Sequence, residues 1–305
     1  MTKIQVSKIN ALTGHNDCVY ALSRGRAANL FFSGAGDGMV VEWDLTQPKD
    51  GKLIAKVPQS VYAVCYDQAR GQLLIGENYQ GLHVIDLQTN RELYAVQLTD
   101  AAIFDIQVKG DLAWIATGDG VVIVFDLVRQ GIIKHIKSSD KSARTISIHP
   151  DLEQFAVGYS DHLIRIFDFD YQLIQTLQGH TNSVFTVKYS PDGSYLLSAG
   201  RDAHLKAWNV VQAYVLQEDI IAHMYAINHI DFSADMKYFV TCSMDKSIKV
   251  WDLQSFKLLK VIDKARHAGH GTSINKLLWS DFDSLIVSAS DDRTLSIWDL
   301  SFIPD

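Results

Sequence analysis

A unit of about forty residues recurs along the whole chain and constrains the fold more than any other feature. Residues 198–210 read SAGRDAHLKAWNV, and residues 288–300 read SASDDRTLSIWDL. A large apolar residue followed by Asp or Asn marks each unit, and successive marks lie 40 to 47 residues apart. The seven marks end at Asp44, Asp86, Asp126, Asp168, Asn209, Asp252 and Asp299. Such self-similarity indicates a repeat architecture in which neighbouring units bury a continuous core.

Two further marks are in phase with these pairs. Six units carry an aspartate six residues before the aromatic or apolar position, and only the second unit departs, with Tyr79 in that place. A histidine stands 22 residues before the aspartate in units 1, 5, 6 and 7, whereas units 2, 3 and 4 lack it. Seven units with three phased marks cannot arise from composition alone.

With these marks the chain resembles the WD-repeat family, whose units each form one four-stranded blade of a β-propeller. The resemblance covers essentially the whole chain. It implies an all-β fold, a seven-bladed β-propeller of four-stranded antiparallel sheets, with residues 1–305 as one domain. Turn signals in unit 5 separate the apolar runs SVFTVKYS, SYLLSAG, LKAWNV and YVLQEDI, which are predicted to be its four strands.

The last unit stops directly after its third strand, so its fourth strand must come from elsewhere. VSKINALTGH at 6–15 has the form of LIQTLQGH at 173–180, which is predicted to be a fourth strand followed by a loop. Residues 4–12 are therefore predicted to complete the last blade, which closes the ring and removes an exposed sheet edge.

The family resemblance also implies a structural tetrad of His, Ser or Thr, Asp and Trp in the units that carry all the marks. A buried aspartate needs hydrogen-bond donors, and the imidazole, hydroxyl and indole groups supply them. The four matching sets are His15, Ser33, Asp37 and Trp43; His180, Ser198, Asp202 and Trp208; His223, Thr241, Asp245 and Trp251; and His270, Ser288, Asp292 and Trp298.

Three patterns could be interpreted as chemical sites, but in each case the structural interpretation is the stronger one. Ser, His and Asp together could form a catalytic triad, but four equivalent copies indicate a structural device, and a nucleophile sits on an exposed turn rather than inside a strand. The loop SGAGDG at 33–38 could cradle phosphate, but a strand follows it instead of a helix. His267 and His270 could bind a metal ion, but the tetrad already uses His270. The sequence therefore predicts no catalytic residue, no metal site and no cofactor.

Composition limits the possible class and location of the protein. The net charge is −7 and is spread along the chain, and no apolar run approaches the ~18 residues of a membrane helix. Cys18, Cys65 and Cys242 stand far apart, without the spacing of a zinc site or a disulfide framework. These features predict a soluble, cytoplasmic, monomeric propeller with reduced thiols and no membrane partner.

Propellers of this family resemble interaction platforms, whose partners bind the face that carries the inter-blade loops. At one position of the first strand, units 1 to 3 place aromatic residues and unit 4 places Arg144, types that are enriched in interface hot spots. Phe185, Arg201 and Met244 are expected to extend this surface on the far side of the channel. The predicted partner-binding residues are Tyr20, Tyr62, Phe104, Arg144, Phe185, Arg201, Asn228, Met244, Asn275 and Asp291. The alternative is that the aromatic side chains only pack the channel wall.

Three classes of function follow. The favoured one is a non-enzymatic scaffold or adaptor that binds a protein or peptide segment at the channel mouth. A platform for nucleic acid or phosphate is disfavoured by the negative net charge, and KHIKSSDKSAR at 134–144 is its only local support. An enzyme or small-ligand protein lacks a recognisable site. The identity of the partner does not follow from the sequence.

Overall fold

Short apolar runs separated by turn residues fold into 28 strands in the computed structural model, which describes residues 3–303. The strands form seven four-stranded sheets, and every pair of neighbouring strands is antiparallel. The sheets are the blades of a propeller whose first strands surround a central channel. The predicted all-β, seven-bladed fold is confirmed.

Within each blade the strands are ordered from the innermost to the outermost. Blade 1 contains β2 (Val19–Arg24), β3 (Leu30–Ala35), β4 (Met39–Asp44) and β5 (Lys52–Lys56). Blade 2 contains β6 (Val61–Asp67), β7 (Gln72–Glu77), β8 (Gly81–Asp86) and β9 (Arg91–Gln97). Blade 3 contains β10 (Ile103–Lys109), β11 (Leu112–Thr117), β12 (Val121–Asp126) and β13 (Gly131–Lys137). Blade 4 contains β14 (Ala143–Ile148), β15 (Gln154–Tyr159), β16 (Ile164–Asp168) and β17 (Leu173–Leu177).

The remaining three blades follow the same order. Blade 5 contains β18 (Val184–Tyr189), β19 (Tyr195–Gly200), β20 (His204–Asn209) and β21 (Val215–Ile221). Blade 6 contains β22 (Ile227–Phe232), β23 (Tyr238–Ser243), β24 (Ile248–Asp252) and β25 (Leu258–Ile262). Blade 7 contains β26 (Ile274–Trp279), β27 (Ile286–Ser290), β28 (Leu295–Ile303) and β1 (Lys3–Leu12).

Blade 7 is built from both ends of the chain. Strand β1 pairs antiparallel with β28, from Lys3 opposite Ile303 to Leu12 opposite Leu295. Ile4 of β1 belongs to the apolar cluster that contains Trp298 and Leu300 of the same blade. The predicted closure by residues 4–12 is confirmed, and the strand begins one residue earlier than predicted.

The core consists of apolar clusters between neighbouring blades. Phe31 and Trp43 of blade 1, for example, pack in one cluster with Val287 and Leu295 of blade 7. Because each sheet is covered on both faces, its middle strands do not alternate between apolar and polar residues. In β12, residues 122–126 are all buried. Each blade therefore depends on two neighbours for its core.

One short helix interrupts the all-β pattern. Helix α1 (Lys264–His267) lies between blades 6 and 7, and the Asp263 side chain accepts a hydrogen bond from the Arg266 N–H at its start. Four residues are too few to produce a helical periodicity, so the sequence pattern did not predict it. Across residues 3–303, no helix has the length and apolar character needed to cross a membrane.

The antiparallel strand order defines two faces of the ring. The mouth face carries the start of each first strand, the turn between the second and third strands, and the loop from one blade to the next. The opposite face carries the turns between the first and second and between the third and fourth strands. The predicted partner-binding residues all fall in segments of the mouth face.

Closure by β1 makes a prediction about two isoleucines on that strand. Ile4 is 4% exposed and Ile9 is 52% exposed. We expect Ile4→Asp to lower the free energy of unfolding by about 3 kcal/mol or more, because it buries an unpaired carboxylate in the blade 7 cluster. Ile9→Asp is the matched control and should change it by less than about 0.5 kcal/mol. Urea unfolding measures both, and equal stability of the two variants would contradict the assigned register of β1.

Candidate functional site at the channel mouth

Every first strand contains a β-bulge at the same position, next to the channel mouth. The strand register skips one residue in each blade, and that residue has no direct partner on the second strand. The seven bulged residues are Tyr20, Tyr62, Phe104, Arg144, Phe185, Asn228 and Asn275. A bulge turns a side chain away from the regular pleat. The seven predicted first-strand residues thus form one ring at the mouth, with one residue from each blade.

Five of these side chains are in contact around the ring. The Tyr20 and Tyr62 rings meet edge to face with centroids 4.7 Å apart, and Tyr62 stacks on Phe104 at 6.0 Å. The guanidinium of Arg144 lies 4.1 Å from the Phe104 centroid and 4.9 Å from the Phe185 centroid. We call these five residues the mouth ladder. Phe185 was expected on the far side of the channel, but it continues the ladder because blade 5 directly adjoins blade 4.

The two asparagines complete the ring by hydrogen bonds between blades. Asn228 donates from Nδ2 to the Ile274 carbonyl at 2.8 Å, and Asn275 donates to the Val19 carbonyl at 3.0 Å. Asn275 also donates to the Asp291 carboxylate at 2.7 Å. These amides bind neighbouring backbone, so blades 6 and 7 present polar, internally bonded groups where blades 1 to 5 present the ladder.

The ring surrounds a cavity of about 460 Å³. Four further residues contribute to its wall, namely Tyr79, Ala102, Thr145 and Lys276. Two cations, Arg144 and Lys276, line the cavity, and its wall as drawn by residues 3–303 contains neither Asp nor Glu. This composition contrasts with the chain as a whole, which has 35 acidic and 28 basic residues.

Arg144 is a half-buried cation without a carboxylate. Within residues 3–303, no acidic side chain lies at ion-pair distance from its guanidinium, and its close partners are the two phenyl rings. Burial lowers the pKa of Arg144, while the nearby Tyr62 acts in the opposite direction. An arginine remains charged under such conditions. The site therefore holds a positive charge, and the two rings replace only part of its hydration.

The three predicted residues in the turns between the second and third strands lie outside this cavity. Arg201 and Met244 are exposed on the mouth face, in blades 5 and 6. Asp291 is half-buried, and its carboxylate is held by Asn275. The structure therefore divides the predicted residues into a cavity ring and a peripheral set.

Sequence reasoning missed four residues of the cavity wall, and Lys276 and Tyr79 are the two largest of them. Lys276 directly follows a bulged residue, and the bulge lets two consecutive side chains approach the channel. Its signal was a lone lysine at a position where blades 1 and 2 have Ala21 and Ala63. Tyr79 was noticed only because it replaces an aspartate, and its left-handed backbone (φ 67°) places it in the turn above the mouth.

The four sets of tetrad residues are joined by hydrogen bonds in the same way. In blade 5, the Trp208 indole donates to the Ser198 Oγ at 2.8 Å, and Ser198 lies 2.8 Å from His180 Nε2. His180 Nδ1 lies 2.9 Å from Asp202, which also accepts a hydrogen bond from the Thr181 N–H. With the imidazole proton on Nδ1, each group donates to the next and the chain of donors ends on the carboxylate.

The other three sets repeat these contacts with one looser member. The hydroxyl-to-imidazole distances are 2.7 to 2.8 Å and the indole-to-hydroxyl distances are 2.8 to 2.9 Å. The imidazole-to-carboxylate distance is 2.8 Å in blades 6 and 7 but 3.4 Å between His15 and Asp37 in blade 1. Each set links an inter-blade loop to the second strand, the following turn and the third strand.

The same contacts argue against a catalytic role for these sets. Ser33, Ser198, Thr241 and Ser288 are fully buried, so a substrate cannot reach their hydroxyl groups. Each hydroxyl also accepts an indole N–H, which a nucleophile poised for attack would not need. The tetrads therefore stabilise the fold.

The structure also argues against the two other chemical interpretations, the metal site and the phosphate-binding loop. His270 binds Asp292 and Ser288 through its two ring nitrogens, which leaves neither for a metal ion. In the described part of the chain, no group of three or more His, Cys, Asp or Glu side chains is arranged to hold a metal. Of the segment 33–38, residues 33–35 belong to β3 and residues 36–38 form the turn to β4, so a strand and not a helix follows it.

Comparison with known proteins identifies the repeats in part of the chain. The WD40 family, described as WD domain, G-beta repeat, matches residues 6–44, 171–209, 215–252 and 261–299. These segments make up just over half of the chain. Each begins in or just before the fourth strand of one blade and ends with the third strand of the next, or at Asp299 within β28 in the last segment. The matched blades are the four that contain complete tetrads.

Two relatives and one solved structure illustrate how far the likeness extends. The nuclear distribution protein PAC1 of Ajellomyces capsulatus (strain H143) is 32% identical over 173 residues, which is 56% of this chain and 37% of that protein. The 66 kDa stress protein of Physarum polycephalum is 23% identical over 299 residues, 94% of this chain and 47% of that protein. The chain thus spans less than half the length of both relatives. The WD40 β-propeller domain of Doa1 superposes with a TM-score of 0.85 and 17% identity, covering 96% of this chain and 97% of that one.

The tetrads predict the effect of removing one carboxylate. Asp202→Ala leaves the His180 and Thr181 donors of blade 5 without their acceptor, and stranding buried donors costs about 1–3 kcal/mol. We expect urea unfolding to show a loss of that size. Asp140→Ala, which removes an exposed aspartate on the same face, should change stability by less than about 0.5 kcal/mol. A loss no larger than that of the control would contradict the structural role.

The tetrads also predict how stability depends on pH. Burial alone would raise the pKa of Asp202, but hydrogen bonds from His180 and from backbone N–H groups lower it to about 2. The pKa values of Asp245 and Asp292 are lowered by the same kind of contact against the effect of burial. A carboxyl group with a lowered pKa stabilises the fold above its unfolded pKa of about 4, and this stabilisation is lost as the pH falls towards 2.

We therefore expect the urea midpoint to fall when the pH is lowered from 6 to 3. Asp202→Asn removes one of the titrating groups, so its midpoint should fall less steeply over the same range. Parallel curves for the two proteins would show that Asp202 does not contribute to the acid sensitivity.

Proposed function

The chain belongs to the WD40 repeat family, and from that premise we propose that it is a non-enzymatic scaffold that binds a protein or peptide segment at the channel mouth. Proteins of this family generally serve as protein-interaction scaffolds. The proposal adds a place and a set of contact residues. The partner segment lies over the cavity of about 460 Å³, against the mouth ladder of blades 1 to 5.

The single observation that carries the proposal is the environment of Arg144. Packing of the channel wall would account for Tyr20, Tyr62, Phe104 and Phe185, because stacked rings fill space and stabilise neighbouring blades. It does not account for a cation, since burying a guanidinium without a carboxylate is unfavourable. An arginine that contacts two rings and lines an open cavity can receive a group from outside the chain.

The shape and composition of the ladder support the same conclusion. Its five residues are half-buried, so each retains surface that a partner can cover. Aromatic residues and arginine are enriched in the hot spots of interfaces. The bulges hold these side chains on strands rather than on loops, which fixes their positions before a partner arrives.

The nucleic-acid alternative loses its local support in the structure. Residues 134–144 do not form one basic surface, because Arg144 points into the mouth cavity whereas Lys137 binds the Asp119 carbonyl and lies 3.5 Å from Asp140. Binding to a nucleic-acid backbone rests on several cations along one surface. Weak retention on heparin at low salt would agree with the scaffold proposal. The cytoplasmic location and the monomeric state remain predictions.

The proposal predicts that two ladder residues are needed for partner binding. Immobilised full chain should capture proteins from a lysate of cells that naturally express it, and quantitative mass spectrometry would identify them. For a captured partner that is then purified, Tyr62→Ala and Arg144→Ala should each weaken binding about thirtyfold, since loss of a hot spot costs roughly 2 kcal/mol. Neither variant should change the Tm by more than a few degrees.

Arg129→Ala is the matched control for Arg144→Ala. Arg129 is an exposed arginine in the turn between β12 and β13, on the opposite face. It should bind the partner as the unaltered chain does. If both ladder variants bind normally and the Arg129 variant does not, the partner site lies on the opposite face and the proposal is wrong.

A further inference from the structure

We infer that the segment bound at the mouth is acidic, with a carboxylate paired to Arg144 and Lys276 and an apolar side chain seated on blade 6. This inference rests on the proposed function and adds the chemistry of the partner. Two independent features of the mouth face support it: the unpaired cations of the cavity, and an exposed apolar patch beside it that also has a basic rim.

The cavity cations have no counterpart within the protein. Lys276 lines both the mouth cavity and the channel beneath it, and in residues 3–303 it forms no ion pair or hydrogen bond through its amino group. The channel below does contain carboxylates, but they are engaged: Asp231 binds Lys188 and the Trp279 N–H, and Asp105 binds the Ile146 N–H. Two cations therefore line the open cavity, and neither forms an ion pair within residues 3–303.

The apolar patch lies on the mouth face of blade 6 and consists of Met224, Tyr225 and Met244, which we call the blade 6 patch. All three side chains are more than half exposed. Their backbones are held together, because the Met244 N–H donates to the Ala226 carbonyl at 3.0 Å and Ser243 Oγ donates to the Tyr225 carbonyl at 3.1 Å. The loop before β22 and the turn after β23 are thus joined by hydrogen bonds, and both expose apolar side chains on the mouth face.

The patch is close to the mouth along the chain. Tyr225 stands three residues before Asn228, which belongs to the cavity ring, so the chain leads from the patch into the ring along β22. A segment that places one side chain in the cavity and runs outwards over blade 6 meets the patch next. Exposed apolar groups beside a recognition cavity are typical of interaction sites.

The rim of the patch has the same sign of charge as the cavity. Arg201 precedes the tetrad aspartate of blade 5, and Lys246 follows that of blade 6. Both are exposed, and neither pairs with a carboxylate in the part of the chain that the structure describes. The adjacent carboxylate of Asp245 binds His223 and the Met224 N–H rather than Lys246. In a chain with a net charge of −7, this arrangement selects an acidic partner.

The geometry of Arg144 favours a carboxylate over a phosphate group. Its guanidinium carbon lies 4.1 Å from the Phe104 centroid and 4.9 Å from the Phe185 centroid, so the rings limit access to it, and a guanidinium pairs with a single carboxylate through two parallel hydrogen bonds. A phosphate group is typically recognised by a cluster of arginine residues, and among residues 3–303 the cavity wall contains one arginine and one lysine. We therefore assign the anionic group to Asp or Glu side chains of the bound segment.

A selection from random peptides tests this assignment and does not require the natural partner. Peptides displayed on their own messenger RNA are selected against the immobilised full chain and, in parallel, against the double variant Arg144→Gln and Lys276→Gln. We expect the peptides enriched on the unaltered chain to contain Asp or Glu together with large apolar residues, and we expect that set to be lost on the double variant. Arg129→Gln is the control and should enrich the same peptides as the unaltered chain.

Synthetic versions of one enriched peptide then separate the possible anions. Replacement of its acidic residues by Gln or Asn should weaken binding about tenfold or more, as measured by fluorescence anisotropy. A version with phosphoserine in place of the acidic residue should bind no more tightly. Tighter binding of the phosphoserine version, or enrichment of neutral or basic peptides that still require Arg144, would overturn the inference and leave the proposed function intact. Failure to enrich any peptide that depends on the mouth ladder would overturn both.

The blade 6 patch is tested with two methionines of the same blade. Met244 is 51% exposed on the mouth face, and Met236 is 48% exposed in the turn between β22 and β23, on the opposite face. Met244→Asp should weaken binding of the enriched peptide about tenfold, because it removes apolar contact and repels the acidic segment. Met236→Asp should leave binding unchanged, and Met244→Leu should retain it. Equal binding by both aspartate variants would remove the patch from the site.

Discussion

Closure of the ring is the constraint on which the rest of the structure depends. Each blade buries its two faces against its neighbours, so an open ring would expose one face of the first blade and one of the last. The pairing of β1 with β28 prevents this by joining residues from both ends of the chain in one sheet. Closure also creates the channel, because seven first strands must converge on one axis. Each first strand carries a bulge at the mouth, and the bulges turn one side chain per blade towards the opening.

The channel mouth and the core place different requirements on the residues at their positions. Positions between blades must be apolar and of the right size, which explains why they could be recognised from the repeat. The mouth position must only tolerate a bulge, and the seven blades place Tyr, Phe, Arg and Asn there. Packing therefore leaves the identity of these residues largely free. Arg144, which contacts two rings and forms no ion pair with a carboxylate in residues 3–303, therefore indicates which kind of partner binds this surface.

The phased marks allowed the blades, the strand order and the closing strand to be predicted, because each mark reports a turn or a tetrad that recurs at fixed spacing. They also brought Tyr20, Tyr62, Phe104 and Arg144 to one position. They could not show the bulges, which arise from strand geometry and have no sequence signature in a single chain. For that reason Lys276 was missed, and Arg201, Met244 and Asp291 were predicted as partner-binding residues together with the ring although they lie outside the cavity. Helix α1 was missed because four residues carry no periodicity.

The blades without complete tetrads contain the central part of the mouth ladder. In blade 2 the positions of the histidine, hydroxyl and tryptophan are Val57, Ile75 and Ile85, which pack in one apolar cluster. In blade 4, Ser139 takes the place of the histidine and donates to Asp161 at 2.6 Å.

These same blades, 2 to 4, supply Tyr62, Phe104 and Arg144. Contacts along the ladder cross every boundary from blade 1 to blade 5, so they link neighbouring blades where the tetrads do not. Local departures from the pattern of a fold concentrate where another requirement acts on the residues. Here both departures, the missing tetrads and the stacked cation, fall on one side of the ring, and that side faces the cavity in which we place the partner.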